Sequence, residues 1–400
     1  MTLIADLHIH SRYSRATSPD MTIPGIAKWA KIKGIQVMGT GDFTHPEWLK
    51  ELRKYLQPAG PGTFEHDGVK FLLTAEVSNI FYRQGECFKV HNIILAPDFA
   101  TVEKIIKDIS GYGKLASDGR PILGLDPEKL VEMVLAASAD CLVIPAHAWT
   151  PHFGVFGSAS GFDSLEECFG AQTGNIYAIE TGLSSDPTMN WRLSRLDHIS
   201  LVSNSDAHSL RKLGREANVF NIPDSSHIYE DITAAIKTKD LAKFLYTIEF
   251  FPEEGKYHFD GHRLCAYRAH PQETIAQKLQ CPACKKPVTV GVLHRVEKLA
   301  DRALKTKPPQ AIPFKHLIPL QEIIAEALGA GVNTQKVEKE YFKLINRFGN
   351  EFRILMDISI DEISNHTPGK IASGINKMRK GDVEINPGYD GEFGTIKLFI

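Results

Sequence analysis

The chain has 400 residues and a formal net charge of −2 at pH 7, and 43% of its residues are hydrophobic. This length exceeds what one ordinary hydrophobic core supports, so we expect two or three domains. The composition is typical of a soluble globular protein, and no apolar stretch approaches the roughly 20 residues that span a bilayer. Six cysteines are too few for a disulfide framework, and the sequence opens without a signal-peptide pattern, which favours the cytoplasm.

Apolar runs alternate with helical patterns through the first half of the chain. After an opening strand that contains Leu3-Ile4-Ala5, the sequence predicts strands at 35–40, 70–76, 90–96, 141–146, 176–180, 199–203, 217–221 and 243–248. It predicts helices at 24–33, 46–56, 98–109, 126–139, 187–195 and 229–238. This alternation indicates an α/β protein with a parallel sheet. Because polar residues end many different strands, we expect a distorted barrel of about seven strands rather than an open doubly wound sheet.

Two histidines, His8 and His10, follow the opening strand at a spacing that places both on one strand face. Burying such a pair is costly unless a metal ion satisfies it. Further ligand types lie at the ends of later apolar runs, and the predicted metal ligands are His8, His10, Asp42, His45, Glu76, His91, His147, Asp206 and His208. This set suits two or three divalent ions (Zn²⁺, Mn²⁺, Mg²⁺ or Fe²⁺), with Glu76 as a bridging carboxylate. Phosphoester hydrolysis is the reaction that needs such a centre, and amide hydrolysis is the chemical alternative.

A second part of the chain begins near Pro252-Glu253-Glu254-Gly255. Two ligand pairs with two-residue gaps are typical of a zinc knuckle, so we predict a structural zinc held by His262, Cys265, Cys281 and Cys284, with His258, His270 and His294 as alternatives to the first ligand. Residues 256–307 contain 11 Lys and Arg against 4 Asp and Glu, which favours an anionic polymer as partner, although a solvated basic surface explains the same charge. We therefore predict a catalytic barrel in 1–252, a zinc-binding module in 253–292 and a mostly helical domain in 293–400.

The order of these candidate ligands resembles the polymerase-and-histidinol-phosphatase (PHP) superfamily. The shared motifs are an opening His-x-His, an Asp/His pair, a Glu, two separate histidines and a final Asp-x-His. The resemblance implies a distorted seven-stranded barrel with a trinuclear metal centre. This chain departs from the usual Thr-Asp-His in the second motif, where it has Gly41-Asp42-Phe43-Thr44-His45.

More narrowly, the chain resembles the endonuclease Q family in the segments 10–18, 41–48, 203–208 and 291–297 and in the zinc module. This resemblance implies cleavage of the DNA backbone on the 5′ side of a deaminated base (uracil, hypoxanthine or xanthine) or an abasic site. It implies catalytic roles for His8, His10, Glu76, Asp206 and His208. The implied partners are damaged single- or double-stranded DNA and, as a further possibility, a sliding clamp or other repair proteins. The protein is therefore expected in the cytoplasm, associated with the nucleoid.

Selectivity for a damaged base requires a pocket that receives the base outside the helical stack. The aromatic segment after His147 supplies candidates for its wall, namely Trp149, Phe153 and Phe156, and core packing explains these side chains equally well. Two other functions remain open at this point: a PHP-type phosphatase for a small molecule and a non-catalytic DNA-binding scaffold. The zinc module argues against the first and the nearly complete ligand set against the second.

Overall fold

The computed structural model describes residues 1–223 and 227–399. Its first part is an α/β unit with these strands: β1 (Thr2–Asp6), β2 (Val37–Gly39), β3 (Gln57–Pro58), β4 (Phe64–His66), β5 (Val69–Arg83), β6 (Glu86–Ala96), β7 (Ile122–Leu123), β8 (Leu142–Pro145), β9 (Ala178–Glu180), β10 (Ser200–Val202), β11 (Ala217–Asn221) and β12 (Phe244–Glu249). The helices between them are α1 (Ile23–Lys33), α2 (Pro46–Tyr55), α3 (Phe99–Ile109), α4 (Pro127–Ala137), α5 (Leu165–Phe169), α6 (Pro187–Asn190) and α7 (Ile228–Thr238).

Most of these helices lie within a few residues of their predicted positions because their ends carry clear signals. Helix α1 starts where the Thr22 side chain accepts a hydrogen bond from the Gly25 amide, and it stops at Gly34, whose φ of 90° needs a glycine. Helix α4 is capped in the same way by Asp126. The prediction for 187–195 is wrong in length, since only Pro187–Asn190 is helical.

The main sheet is mixed, which corrects the expectation of a parallel one. Strands β1, β2 and β5 are parallel neighbours as predicted. Strands β5 and β6, however, form a long antiparallel hairpin, and β8 pairs antiparallel with β6. The reason is the two-residue turn Gln84-Gly85, whose φ values of 50° and 87° reverse the chain directly. Strand β11 is likewise antiparallel to β1, and β9 and β10 form a separate parallel pair.

The second part of the chain is mostly helical. Its elements are β13 (Asp260–His262), β14 (Tyr267–Ala269), α8 (Pro271–Ala276), α9 (Val292–Leu299), β15 (Phe314–His316), α10 (Leu320–Leu328), α11 (Gln335–Phe348), α12 (Glu351–Met356), α13 (Ile360–Ser364), α14 (Gly369–Lys380), β16 (Glu384–Asn386) and β17 (Thr395–Lys397). Strand β15 joins the main sheet beside β12, so this part is tied to the first by backbone hydrogen bonds. Among the described residues, no helix combines the length and apolar character that crossing a membrane requires.

The C-terminal tail returns to the segment that carries the predicted zinc ligands. The Phe259 amide donates to the Gly388 carbonyl at 2.9 Å, and the Asp390 carboxylate accepts from the Arg263 amide at 2.7 Å and the Thr289 hydroxyl at 2.6 Å. Residues of the segment 253–292 and of the β16–β17 hairpin therefore pack as one unit, an association that the sequence did not predict.

Candidate metal centre

Four of the predicted ligands meet in a first cluster. The Nε2 atoms of His8 and His10 lie 3.3 and 3.0 Å from Glu76 Oε2, and His10 Nε2 lies 3.1 Å from Asp206 Oδ1. The two histidines and Glu76 are buried, whereas about a quarter of the Asp206 side chain is exposed. These four groups are close enough to hold one metal ion.

A second cluster shares Glu76 with the first. The other oxygen of this carboxylate, Oε1, lies 2.7 Å from His91 Nδ1 and 3.1 Å from His147 Nε2. Glu76 thus presents one oxygen to each pair of histidines, a geometry compatible with the predicted bridging role of this carboxylate.

The alternation of side chains along the strands directs these groups inward. Leu72 and Glu76 share one face of β5, and Ile93 and His91 share one face of β6. Leu72 and Ile93 belong to the same buried apolar cluster. Glu76 and His91 therefore lie within their strands, on the faces that continue this apolar interior.

Three predicted ligands have a left-handed backbone that non-glycine residues seldom adopt. Asp42, His147 and Asp206 follow strand ends with φ values of 50°, 31° and 46°. Each such residue costs on the order of 1–3 kcal/mol, so the surrounding contacts must hold it in place. The His147 amide, for example, donates to Glu180 Oε2 at 2.8 Å.

Side chains behind the clusters orient the histidine rings. Glu180 lies 3.0 Å from His8 Nδ1, Asp42 lies 3.0 Å from His10 Nδ1, and the Thr150 hydroxyl lies 2.9 Å from His147 Nδ1. With the Nδ1 proton directed to these acceptors, the Nε2 lone pair of each ring faces the cluster.

The donor set fits divalent metal ions. His8 Nε2, His10 Nε2 and Asp206 Oδ1 are buried and have no hydrogen-bond partner among the described residues. Burial alone would lower the pKa of His8, yet the carboxylates of Glu180 and Glu76 raise it well above its usual value. Burial would raise the pKa of Glu76, but His91, Arg120 and His8 lower it well below its usual value. An ionised carboxylate facing several imidazole nitrogens is the environment that a cation stabilises.

Three predicted ligands lie outside both clusters. Both oxygens of Asp42 are occupied, since Oδ1 faces His10 and Oδ2 accepts hydrogen bonds from Ser11 and Ser14. The ring of His45 stacks on Tyr13 at 4.5 Å, and His208 directs Nδ1 to the Asp206 carbonyl at 2.9 Å. Asp42 and His208 therefore lie next to His10, but neither they nor His45 belong to the two groups whose atoms are close enough to share an ion.

Sequence reasoning missed two charged side chains of this site. Glu180 contacts His8, and the Arg120 guanidinium donates to Glu76 Oε2 at 3.0 Å. Glu180 ends a predicted strand in the same way as Glu76 and could have been found by that signal. Arg120 lies in a loop between elements and carried no comparable signal.

The predicted wall of the base pocket requires a correction. Trp149 and Phe156 are fully buried in the main hydrophobic core, with ring centroids 4.9 Å apart, so neither ring has a free face for a base. Phe153 alone is partly exposed, and its ring lies 4.4 Å from that of His91. Phe153 remains the candidate for the wall of a base pocket beside the metal centre.

The four predicted zinc ligands also converge. His262, Cys265, Cys281 and Cys284 form one group, with His262 Nδ1 3.4 Å from Cys284 Sγ. Burial would raise the pKa of the Cys281 thiol, but the amides of Cys284 and Ala283 bring it down to about 6. A thiolate stabilised in this way is a suitable zinc ligand.

Comparisons with known proteins extend over different parts of the chain. Residues 319–382 match the family model described as the MJ0043 C-terminal domain. The uncharacterized protein MJ0043 of Methanocaldococcus jannaschii is 35% identical over 242 residues, which are 59% of this chain and 30% of that protein. The matched segment thus spans less than a third of the length of that archaeal relative.

Two solved structures match nearly the whole chain. The lesion-specific endonuclease PfuEndoQ of Pyrococcus furiosus is 36% identical with a TM-score of 0.89, and the match covers 99% of this chain and 95% of that one. Endonuclease Q in complex with a 27-mer duplex substrate with an abasic lesion at the active site is 36% identical with a TM-score of 0.86, over 99% and 96% of the two chains. Because this identity extends over almost the full length of both proteins, the chain belongs to the endonuclease Q family.

Proposed function

We propose that the chain is a metal-dependent DNA repair endonuclease that hydrolyses the phosphodiester bond 5′ to a deaminated base or an abasic site. The observation that carries this proposal is the Glu76 carboxylate, which presents one oxygen to the His8–His10 pair and the other to the His91–His147 pair. A carboxylate shared in this way would serve as a common ligand of two divalent ions, the kind of centre that supports phosphodiester hydrolysis. Membership of the endonuclease Q family supports damaged DNA, single- or double-stranded, as the substrate.

The residues of the two clusters would hold the ions. His8, His10, Glu76 and Asp206 form one site, and His91 and His147 complete the other around Glu76. Divalent ions bound here supply activation of water and neutralisation of the phosphate oxygens. His208 is half-buried beside His10, with ring centroids 4.4 Å apart, which supports a role for it next to the substrate.

The chain itself keeps this centre ordered. Glu180 and Asp42 accept from His8 and His10, so neither ring can rotate without losing a buried hydrogen bond. Asp42 acts in this proposal by orienting His10. A rigid set of ligands lowers the cost of organising the site when a substrate binds.

We infer that seven strands, β1, β2, β5, β6, β8, β9 and β10, form the distorted barrel of the PHP superfamily. Strands β1, β2, β5, β6 and β8 are consecutive neighbours. The Ala148 amide next to β8 donates to the Glu180 carbonyl of β9 at 2.9 Å, and β9 pairs with β10. Beyond β10, Ala207 forms a parallel bridge with Ile9, which supports closure of the ring at β1.

The proposed function divides the chain into three regions. We assign 1–252 to the catalytic barrel, 253–292 to a module with one structural zinc, and 293–400 to a DNA-binding region. The convergence of His262, Cys265, Cys281 and Cys284 supports the zinc. The 11 basic residues in 256–307 support contact with the phosphate backbone without reading of sequence.

The test uses end-labelled duplexes that carry one uracil, hypoxanthine or abasic site, together with an undamaged duplex, in the presence of Mg²⁺ or Mn²⁺. We expect a single nick directly 5′ of the lesion with a 3′-hydroxyl and a 5′-phosphate, and no nick in the undamaged control. His8→Ala and Asp206→Ala should abolish the nick, because each removes a ligand of the first cluster. Intact damaged duplexes with both metals, or equal cutting of undamaged DNA, would contradict the proposal.

A further inference from the structure

The loop Asp118–Pro121 is held rigidly beside the metal centre. Its backbone is fixed at two points, since the Gly119 amide donates to the Tyr13 carbonyl at 3.0 Å and the Ser78 amide donates to the Pro121 carbonyl at 2.9 Å. A Cβ atom on Gly119 would lie 2.3 Å from Asp42 Oδ2, so only glycine permits this close approach. The backbone of Arg120 is therefore set by the same groups that support His10.

The side chain of Arg120 extends from this fixed loop to the shared carboxylate. Its Nη1 atom donates to Glu76 Oε2 at 3.0 Å, and 29% of the side chain is exposed whereas Glu76 is buried. Oε2 is also the oxygen that His8 and His10 face. Arg120 thus provides a positive charge at the position where the first cluster would hold an ion.

An arginine and a divalent cation compete for the same carboxylate oxygen. The histidines of this cluster are buried in the segment directly after β1 and have little freedom to move, whereas the arginine has a long side chain that reaches solvent. A cation in the cluster would repel the Arg120 guanidinium. The cation would also neutralise Glu76 Oε2, so the ion pair between Arg120 and Glu76 would weaken. Arg120 is the group that can leave this oxygen and still remain next to the centre, because its loop is fixed.

We propose that Arg120 is an exchangeable cation, which neutralises Glu76 in the metal-free protein and binds a non-bridging oxygen of the scissile phosphodiester in the loaded enzyme. This inference rests on the proposed function. A planar guanidinium suits two phosphate oxygens at once, and its charge stabilises the negative charge that develops on them during hydrolysis. No bond to Arg120 forms or breaks in this role.

The first measurement tests the exchange without catalysis. The metal-depleted protein is titrated with Mn²⁺ by calorimetry, as the wild type and as Arg120→Ala, Arg120→Lys and Arg15→Ala. Arg15 is a matched control because it also contacts this loop, through Asp118 at 3.2 Å, but its side chain is 80% exposed. We expect Arg120→Ala to bind Mn²⁺ several-fold more tightly, because no guanidinium has to be displaced, and Arg15→Ala to match the wild type.

The second measurement tests contact with the phosphate. Binding of two lesion duplexes is compared in Ca²⁺ by fluorescence anisotropy, one natural and one with a neutral methylphosphonate at the scissile position. We expect the methylphosphonate to weaken binding to the wild type and to Arg15→Ala clearly more than it weakens binding to Arg120→Ala, because in that variant only the bound ions still respond to the lost phosphate charge. In single-turnover cleavage of the natural duplex in Mn²⁺, Arg120→Ala should be slower by roughly 100-fold, and Arg120→Lys should recover part of the rate.

The outcomes separate this proposal from the one on which it rests. A wild-type protein that leaves lesion duplexes intact overturns the proposed function and, with it, the phosphate contact. A wild-type protein that nicks them while Arg120→Ala nicks equally fast overturns the role of Arg120 alone. Weaker Mn²⁺ binding by Arg120→Ala, together with an unchanged methylphosphonate effect, also overturns it, because Arg120 would then only hold Glu76 in place.

Discussion

Glu180 lies against His8 with both carboxylate oxygens, at 3.0 and 3.1 Å from Nδ1. The same carboxylate accepts from the His147 amide at 2.8 Å and from the Asn204 amide group at 2.9 Å. One buried side chain therefore orients a ligand of the first cluster and fixes the backbone of a ligand of the second. The two clusters are connected through Glu180 as well as through Glu76.

Replacement of Glu180 by glutamine should weaken metal binding. An amide has only one oxygen to accept hydrogen bonds, so it cannot serve His8, His147 and Asn204 as the carboxylate does. Loss of such a supporting contact typically lowers metal affinity by roughly 10- to 100-fold. Calorimetric titration with Mn²⁺ measures the effect in Glu180→Gln.

Glu47→Gln is the control for this measurement, because Glu47 is exposed on α2 and pairs only with the exposed Lys50 in the described residues. It should bind Mn²⁺ like the wild type. Equal affinity in Glu180→Gln would mean that His8 and His147 do not depend on this carboxylate.

Replacement of Cys281 by serine should remove the zinc and loosen the module around it. Serine is a poor zinc ligand, and Cys281 is the buried member of the group. We expect zinc content to fall by about one ion per chain and hydrogen exchange to accelerate in 256–291 and in the β16–β17 hairpin, with the barrel protected as before. Mass spectrometry of metal content and of hydrogen exchange provides both readouts.

The exposed Cys87 in the β5–β6 hairpin offers the matched variant, and Cys87→Ser should retain its zinc. Zinc that stays bound in Cys281→Ser would show that another side chain, such as His258 or His270, completes the site.

Much of the site was predictable because its candidate ligands lie at the ends of apolar runs in the sequence. The spacing of His8 and His10 and the position of Glu76 after an apolar run identified residues that the structure brings together. The antiparallel β5–β6 hairpin was not predicted, although Gln84-Gly85 is a turn signal, because the apolar runs on either side were given shorter lengths. Strand direction depends on such turns more than on hydrophobicity.

Other features depend on contacts between distant parts of the chain. Arg120 reaches Glu76 from a loop that packs against Asp42, and no local pattern encodes that contact. Trp149 and Phe156 follow the predicted metal ligand His147 in sequence, yet their side chains are buried in the main hydrophobic core. Proximity in sequence to a predicted ligand therefore did not identify the wall of a pocket. The two-residue alternation along a strand, in contrast, correctly indicated which side chains share a face.

Glu249 should make stability depend on pH. Burial, opposed by hydrogen bonds from Thr247 and Thr181, raises the pKa of Glu249 from 4.5 to about 8. The stability that the protonated group provides is complete below pH 4.5 and is lost as the pH rises to 8, because the unfolded chain releases this proton first. In Glu249→Gln this dependence is absent. We expect the free energy of unfolding of the wild type to fall relative to the variant by about 1 kcal/mol per pH unit between pH 5 and 8.

Urea denaturation of both proteins at pH 5, 6, 7 and 8 measures this difference. Glu103→Gln, which alters an exposed glutamate paired with Arg53, controls for the loss of a carboxylate in general. A constant gap between the wild type and Glu249→Gln at all four pH values would contradict the prediction.

The zinc-binding module should contribute to the salt dependence of DNA binding. Lys278 and Lys286 are exposed on the module. If both contact phosphates, the double variant Lys278→Gln/Lys286→Gln should reduce the slope of log K against log salt by about 2, equally for damaged and undamaged duplexes. Fluorescence anisotropy at several salt concentrations gives the slope.

Lys104 and Lys107 provide the matched pair, because they are exposed on α3, which follows the end of β6 that lies away from the metal centre. Their double glutamine variant should keep the wild-type slope. The same slope in both double variants would place the DNA away from the zinc-binding module.

The contacts of Asp390 with Arg263 and Thr289 have a consequence for the order of folding. On the ribosome, the cysteines of the proposed zinc-binding module emerge well before the β16–β17 hairpin, since α9 to α14 are synthesised in between. The four proposed zinc ligands are then all available, but the contacts with Asp390 form only after the hairpin has been synthesised. A peptide ending at residue 381 should therefore retain the ligands and still be cleaved readily by proteases within 256–291.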